Sequence, residues 1–97
     1  MICHTVIFRL SGTPEERRGL AVRFRDALME LPAVIEPLES IEVGLNLNPA
    51  EDTDIVLKAI VPTMDDVDIY ARHPAHVAAA SIVKGRVAAR LCVDSEF

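Results

Sequence analysis

Residues 38–61, LESIEVGLNLNPAEDTDIVLKAIV, decide the fold of this chain. Ile41, Val43, Leu45 and Leu47 alternate with Ser40, Glu42, Gly44 and Asn46, and Ile55, Leu57, Ala59 and Val61 alternate with Val56, Lys58 and Ile60. A period of two, rich in β-branched residues, is the pattern of a half-buried strand. Only Asn48-Pro49 and the acidic turn formers Glu51-Asp52-Thr53-Asp54 lie between the runs, so the two strands follow one another through a hairpin-like loop.

Each flank of this pair repeats one plan. Upstream, Ile2, His4, Val6, Phe8 and Leu10 alternate with Cys3, Thr5, Ile7 and Arg9, and Gly12 with Pro14 closes this first strand. Thr13 is placed as an N-cap, with Pro14 in the first helical position and Glu16 completing a capping box. Leu20, Phe24, Ala27, Leu28 and Leu31 then recur at helical spacing, with Arg17, Arg18, Arg25 and Asp26 on the other side, and the helix ends near Leu31-Pro32. Pro32 to Pro37 is a connection. Downstream, Pro62 ends the third strand, Thr63 with Asp66 repeats the capping pattern, and Met64, Val67 and Ala71 mark one helical face. Pro74 breaks this helix, a second segment runs through Val77 and Ile82 to Gly85, and Val87, Ala89, Leu91 and Val93 alternate in a last strand. The order β-α-β-β-α-β, with its second helix broken at Pro74, is the α+β ferredoxin-like arrangement, two crossover helices on one face of a four-stranded antiparallel sheet.

Ninety-seven residues make a single domain, 1–97, and the 51% hydrophobic, 26% charged composition is that of a folded globular unit. A chain this short buries only about two thirds of its unfolded surface, which favours covering a further apolar face by self-association. Ten Lys and Arg stand against fifteen Asp and Glu, a net charge of -5 spread over both halves, which argues against nucleic acid and anionic membrane as partners. No apolar run spans a bilayer, no leader pattern precedes Arg9, and Cys3 and Cys92 build no disulfide framework, so a reduced, cytoplasmic setting is expected.

The more apolar parity, His4, Val6, Phe8, Ile41, Val43, Leu45, Ile55, Leu57, Leu91 and Val93, is expected to face the helices. The opposite parity mixes Cys3, Ile7, Val56, Ile60, Ala88 and Cys92 with charges, a face suited to a sheet-to-sheet homodimer. The first and last strands are antiparallel neighbours in this topology, which places Cys3 and Cys92 close together on that open face as two small hydrophobes.

Phosphate loops, nucleophile elbows and metalloprotease signatures are absent, so no cofactor is expected. Chemistry concentrates in Tyr70-Ala71-Arg72-His73-Pro74-Ala75-His76-Val77, which holds the one tyrosine and two of the three histidines. In an unbroken helix Tyr70 and His76 would point apart; the break at Pro74 lets both turn toward one pocket. His73 then sits near the cap of the new helix and His76 in its first turn, where the helix dipole disfavours imidazolium and leaves a neutral base. His4 approaches the same pocket from the sheet floor, beside Phe8. His4, Tyr70 and His76 are therefore the candidate catalytic groups of a small acid-base site, with Phe8, His73 and Val77 as candidate substrate contacts. His73-x-x-His76 without nearby carboxylates is a poor metal motif, and no metal is assigned.

These residues resemble the stress-responsive α/β barrel, or Dabb, domain. The likeness covers nearly the whole chain: His4 before its strand, Ile41-Glu42-Val43-Gly44-Leu45-Asn46 before Asn48-Pro49, Asp54-Ile55-Val56-Leu57, and above all Tyr70-x-x-His73-Pro74-Ala75-His76-Val77. The resemblance implies a ferredoxin-like protomer that pairs through its open sheet face into a dimeric α/β barrel. The family includes stress-induced plant proteins and a plant polyketide cyclase, in which the residues matching His76 and Tyr70 act as base and donor in an intramolecular aldol closure. It implies a homodimer that binds a small carbonyl or aromatic compound, with His76 and Tyr70 catalysing cyclisation or isomerisation. The competing reading is a non-catalytic stress-responsive or ligand-binding dimer whose histidines are structural. A third, a cofactor-free oxygenase on the same architecture, shares the topology, but its characteristic residues are not evident and the chain has no Trp.

Overall fold

A computed structural model describes residues 1–97. Strand β1 (Ile2–Leu10) is followed by helix α1 (Pro14–Leu28), β2 (Ser40–Leu45), β3 (Ile55–Val61), α2 (Met64–Arg72), α3 (Pro74–Ala80) and β4 (Val87–Glu96), with 3₁₀ turns at Leu31–Ala33 and Ser81–Val83. The sheet order is β2-β3-β1-β4, every neighbouring pair antiparallel, which is the ferredoxin-like topology expected from the element order.

Local chemistry sets the boundaries. Thr13 Oγ1 accepts from the Glu16 N–H at 3.1 Å while Glu16 Oε1 accepts from the Thr13 N–H at 2.9 Å, and Thr63 with Asp66 repeats the exchange at α2. These reciprocal bonds satisfy amides that a helix start leaves unpaired. His73, held extended at ψ 135° by the proline after it, ends α2 and begins α3. Strand β2 stops at Leu45, two residues before the expected end, and Leu47 is exposed. Asn46 is the reason: its Nδ2 donates to the Asn48, Glu51 and Thr53 carbonyls and its Oδ1 accepts from the Asn48 N–H, which folds the chain into the loop.

The core lies between sheet and helices. Val6, Phe8 and Leu10 of β1 and Ile55, Leu57, Ala59 and Val61 of β3 meet Ala21, Phe24 and Leu28 of α1, with Phe8 and Phe24 edge to face at 5.5 Å. The connection after α1 does more than link: Ile35 and Leu38 are fully packed into this core.

The facing of β4 differs from the expected one. Arg9 pairs with Ala89 but Leu10 pairs with Val87, so Ala88 is an extra residue in a β-bulge. One extra residue inverts the alternation beyond it. Val87 stays on the helix side, whereas Leu91 and Val93, paired with Ile7 and Thr5, move to the open face. Arg90, Cys92 and Asp94, opposite Phe8, Val6 and His4, take the helix side instead. Cys3 and Cys92 consequently lie on opposite faces and are not neighbours. The open face gathers Ile7, Val56, Ile60, Leu91 and Val93, and the last two are 70% and 60% exposed in the protomer. No helix is long and apolar enough to cross a membrane.

Candidate functional site

Helix α3 restarts at a new angle after His73, and this brings Tyr70, from the last turn of α2, against His76, from the first turn of α3. Their rings meet edge to face with centroids 4.6 Å apart. His4 rises from the sheet below, its ring 5.8 Å from that of Tyr70. All three line a cavity of about 520 Å³ between helices and sheet, within the size range of small-molecule sites. Val6, Phe8, Phe24, Leu57, Val77 and Val83 make most of its wall apolar, and Lys84 and Arg90 are its charged members. Phe8 and Val77, two of the candidate substrate contacts, are part of this wall.

His73, the third, is not. It is outside the cavity wall, and its Nδ1 accepts from the Ala75 N–H at 3.0 Å, capping α3. The proline that redirects the chain leaves α3 without a hydroxyl or carboxylate cap, and the His73 ring supplies it.

Two buried polar atoms of residues that line the cavity have no hydrogen-bond partner, the Tyr70 hydroxyl and His76 Nδ1. Such orphans are rare in native proteins, because each costs its full desolvation without return. Burial raises the Tyr70 phenol above its ordinary value, only partly offset by the Arg90 charge, so the group stays protonated and can donate. Burial lowers His76 below 6.5, against an opposing pull from the Ala71 backbone, and His4 and Arg90 add to the lowering. The imidazole is neutral at pH 7 and can accept a proton. A donor that keeps its proton and a base that lacks one stand ring to ring, with their polar atoms unspent.

His4 is arranged differently. Its Nδ1 meets Asp94 Oδ1 at 2.5 Å, with Cys92 Sγ 3.5 Å from the same nitrogen. Both partners converge on one nitrogen, so this is not the relay of a Cys-His-Asp triad, which needs the thiol and the carboxylate on opposite nitrogens. The ligand atoms of the three groups also lie within 4.8 Å of one another. The hydrogen bond with Asp94 engages His4 Nδ1. Asp94 thereby fixes the orientation of the His4 ring. Sequence reading missed Asp94, Arg90 and Lys84; the first two reach the helix side only through the bulge at Ala88.

Comparison with known proteins fits this architecture. A family model described as "Stress responsive A/B Barrel Domain" matches residues 2–97. A dimeric protein of unknown function and ferredoxin-like fold from Bacteroides fragilis is 42% identical, with a TM-score of 0.95 over 99% of this chain and 95% of its own. A dimeric ferredoxin-like protein of unknown function from Thermobifida fusca is 29% identical, with a TM-score of 0.81 over 99% of this chain and 90% of its own. An antibiotic biosynthesis monooxygenase shares the fold at 10% identity, with a TM-score of 0.76 over 100% of this chain and 98% of its own. No curated protein matches.

Proposed function

Starting from the fact that this chain belongs to the stress-responsive A/B barrel (Dabb) family, we propose that it is a homodimer whose protomers each bind a small carbonyl or aromatic compound and move a proton on it. The observation that carries this reading is the pair of orphaned polar atoms, the Tyr70 hydroxyl and His76 Nδ1, in two residues that line a largely apolar cavity. A carbonyl compound is the chemistry that completes both. Its oxygen accepts from the Tyr70 hydroxyl while an adjacent C–H faces the neutral His76, which takes the proton as the donor stabilises the oxyanion. His4, held by Asp94, forms the polar floor beside Tyr70. Intramolecular aldol cyclisation and isomerisation both begin with this step. The dimer forms through the open sheet face, where Leu91 and Val93 join Ile7, Val56 and Ile60; the dimeric state of the Bacteroides fragilis and Thermobifida fusca relatives supports it.

Proton abstraction can be measured before the natural substrate is known. Acetophenone incubated in D₂O with the protein should exchange its methyl protons faster than in buffer, followed by NMR. Loss of general-base catalysis in His76→Ala should slow the catalysed exchange by roughly a hundredfold or more. Exchange at the buffer rate with wild-type protein would remove the catalytic role and leave the ligand-binding dimer with structural histidines.

A further inference from the structure

The cavity wall carries a charge pattern opposite to that of the molecule. Fifteen acidic residues give the chain its net charge of -5, yet none of them lines this cavity. Its two charged members are Lys84, which follows the 3₁₀ turn Ser81–Val83, and Arg90, on β4 opposite Phe8. Both are exposed, and neither has an acidic partner or a side-chain hydrogen bond. Of the other eight basic residues, Arg9, Arg17, Arg25, Arg72 and Arg86 engage carboxylates, and Arg18, Arg23 and Lys58, outside this cavity, do not. The other large depression, lined by Arg17, Arg18 and the β2–β3 loop, mixes both signs, and Arg17 is tied there to Asp52 and Asp54.

We infer that the cavity takes a carboxylate-bearing compound, its apolar body against Phe8, Phe24 and Val77 and its carboxylate between Arg90 and Lys84. This rests on the cavity being the ligand site proposed above. Arg90 offers the planar fork that matches a carboxylate, and Lys84 adds a second cation to the same cavity wall. Arg90 acts electrostatically on both Tyr70 and His76, so a carboxylate held there sets its own body against the acid-base pair. The natural ligand is then an aromatic or long-chain keto acid, whose carboxylate adds affinity to what a neutral ketone would have. An overall negative protein that binds an anion needs such a local pair, since the field of the whole molecule repels it.

The test pairs 2-naphthoate with 2-naphthamide, equal in shape and different in charge, titrated calorimetrically into the full chain at low salt. Naphthoate should bind at least tenfold more tightly, shift the His76 ring proton signals, and weaken as salt is raised. In the Arg90→Gln/Lys84→Gln double variant the gap should close while naphthamide binds as before; both side chains are exposed, so its melting temperature should match the wild type. Equal affinity for the two compounds in the wild type, or a naphthoate advantage that survives in the double variant, overturns the carboxylate assignment and leaves the cavity as a ligand site. Failure of both compounds to bind at millimolar concentration overturns the cavity reading and this inference with it.

Discussion

Tyr70→Phe should make the free protein more stable. Tyrosine to phenylalanine in a core usually costs a hydrogen bond, but here the ring is 1% exposed and its hydroxyl has no partner to lose. An unsatisfied buried hydroxyl carries a penalty of about 1–3 kcal/mol, which the substitution removes. The space vacated by one oxygen costs only a few tenths of a kcal/mol at about 24 cal/mol per Å³. A net gain of about 1 kcal/mol is expected, which in a domain of this size raises Tm by roughly 4–8 °C. Thermal and urea unfolding, with both proteins at one concentration because dimerisation adds to apparent stability, measure it. Ligand-induced stabilisation should shrink in the same variant, since the donor is gone. A loss of 1 kcal/mol or more would refute the reasoning: the hydroxyl would then be bonded in solution, and its orphan state could not point to a ligand.

Three other outcomes follow from the same structure. His76 is held below its unfolded value of 6.5, so the unfolded chain takes up the proton first: its contribution to stability is whole above pH 6.5 and falls as the pH drops below it, and His76→Gln should flatten that limb of the stability-against-pH curve. A wild-type and variant difference that does not change between pH 7.5 and 5 would contradict this. Leu91→Glu puts a charge on the open sheet face and should convert the dimer to monomer in analytical ultracentrifugation, whereas an unchanged sedimentation coefficient would place the interface elsewhere. Asp54 accepts from the Leu10 amide at 2.6 Å and from Arg17, so Asp54→Ala should cost about 1–3 kcal/mol in urea unfolding by leaving that amide unpaired; a cost below 0.5 kcal/mol would mean that water replaces the carboxylate.

How much of this was legible in the sequence depends on how local the cause is. Thr13 with Glu16 and Thr63 with Asp66 are caps in the sequence and caps in the fold, because capping involves residues three apart. The approach of Tyr70 to His76 was legible for the same reason: Pro74 is the break, and a break between them changes where both rings point. Ile35 was not, since it sits between prolines in a connection, and only the packing of the chain against the sheet buries it. The helix-side positions of Arg90, Cys92 and Asp94 were illegible as well. Val87, Ala89, Leu91 and Val93 alternate cleanly in the sequence, and the bulge at Ala88 that breaks their common facing is a matter of pairing with β1. The charged wall and the partner of His4 therefore become visible only with the register.

The bulge gives β4 one residue to spare. Ala88 has no partner on β1, so a chain lacking it would keep Val87 opposite Leu10 and Ala89 to Asp94 opposite Arg9 to His4, in plain alternation. Leu91 and Val93 would stay on the open face, and Arg90 and Asp94 on the helix side. The two faces of this strand are therefore set by its pairing with β1, and a related chain one residue shorter at this point presents the same side chains to each.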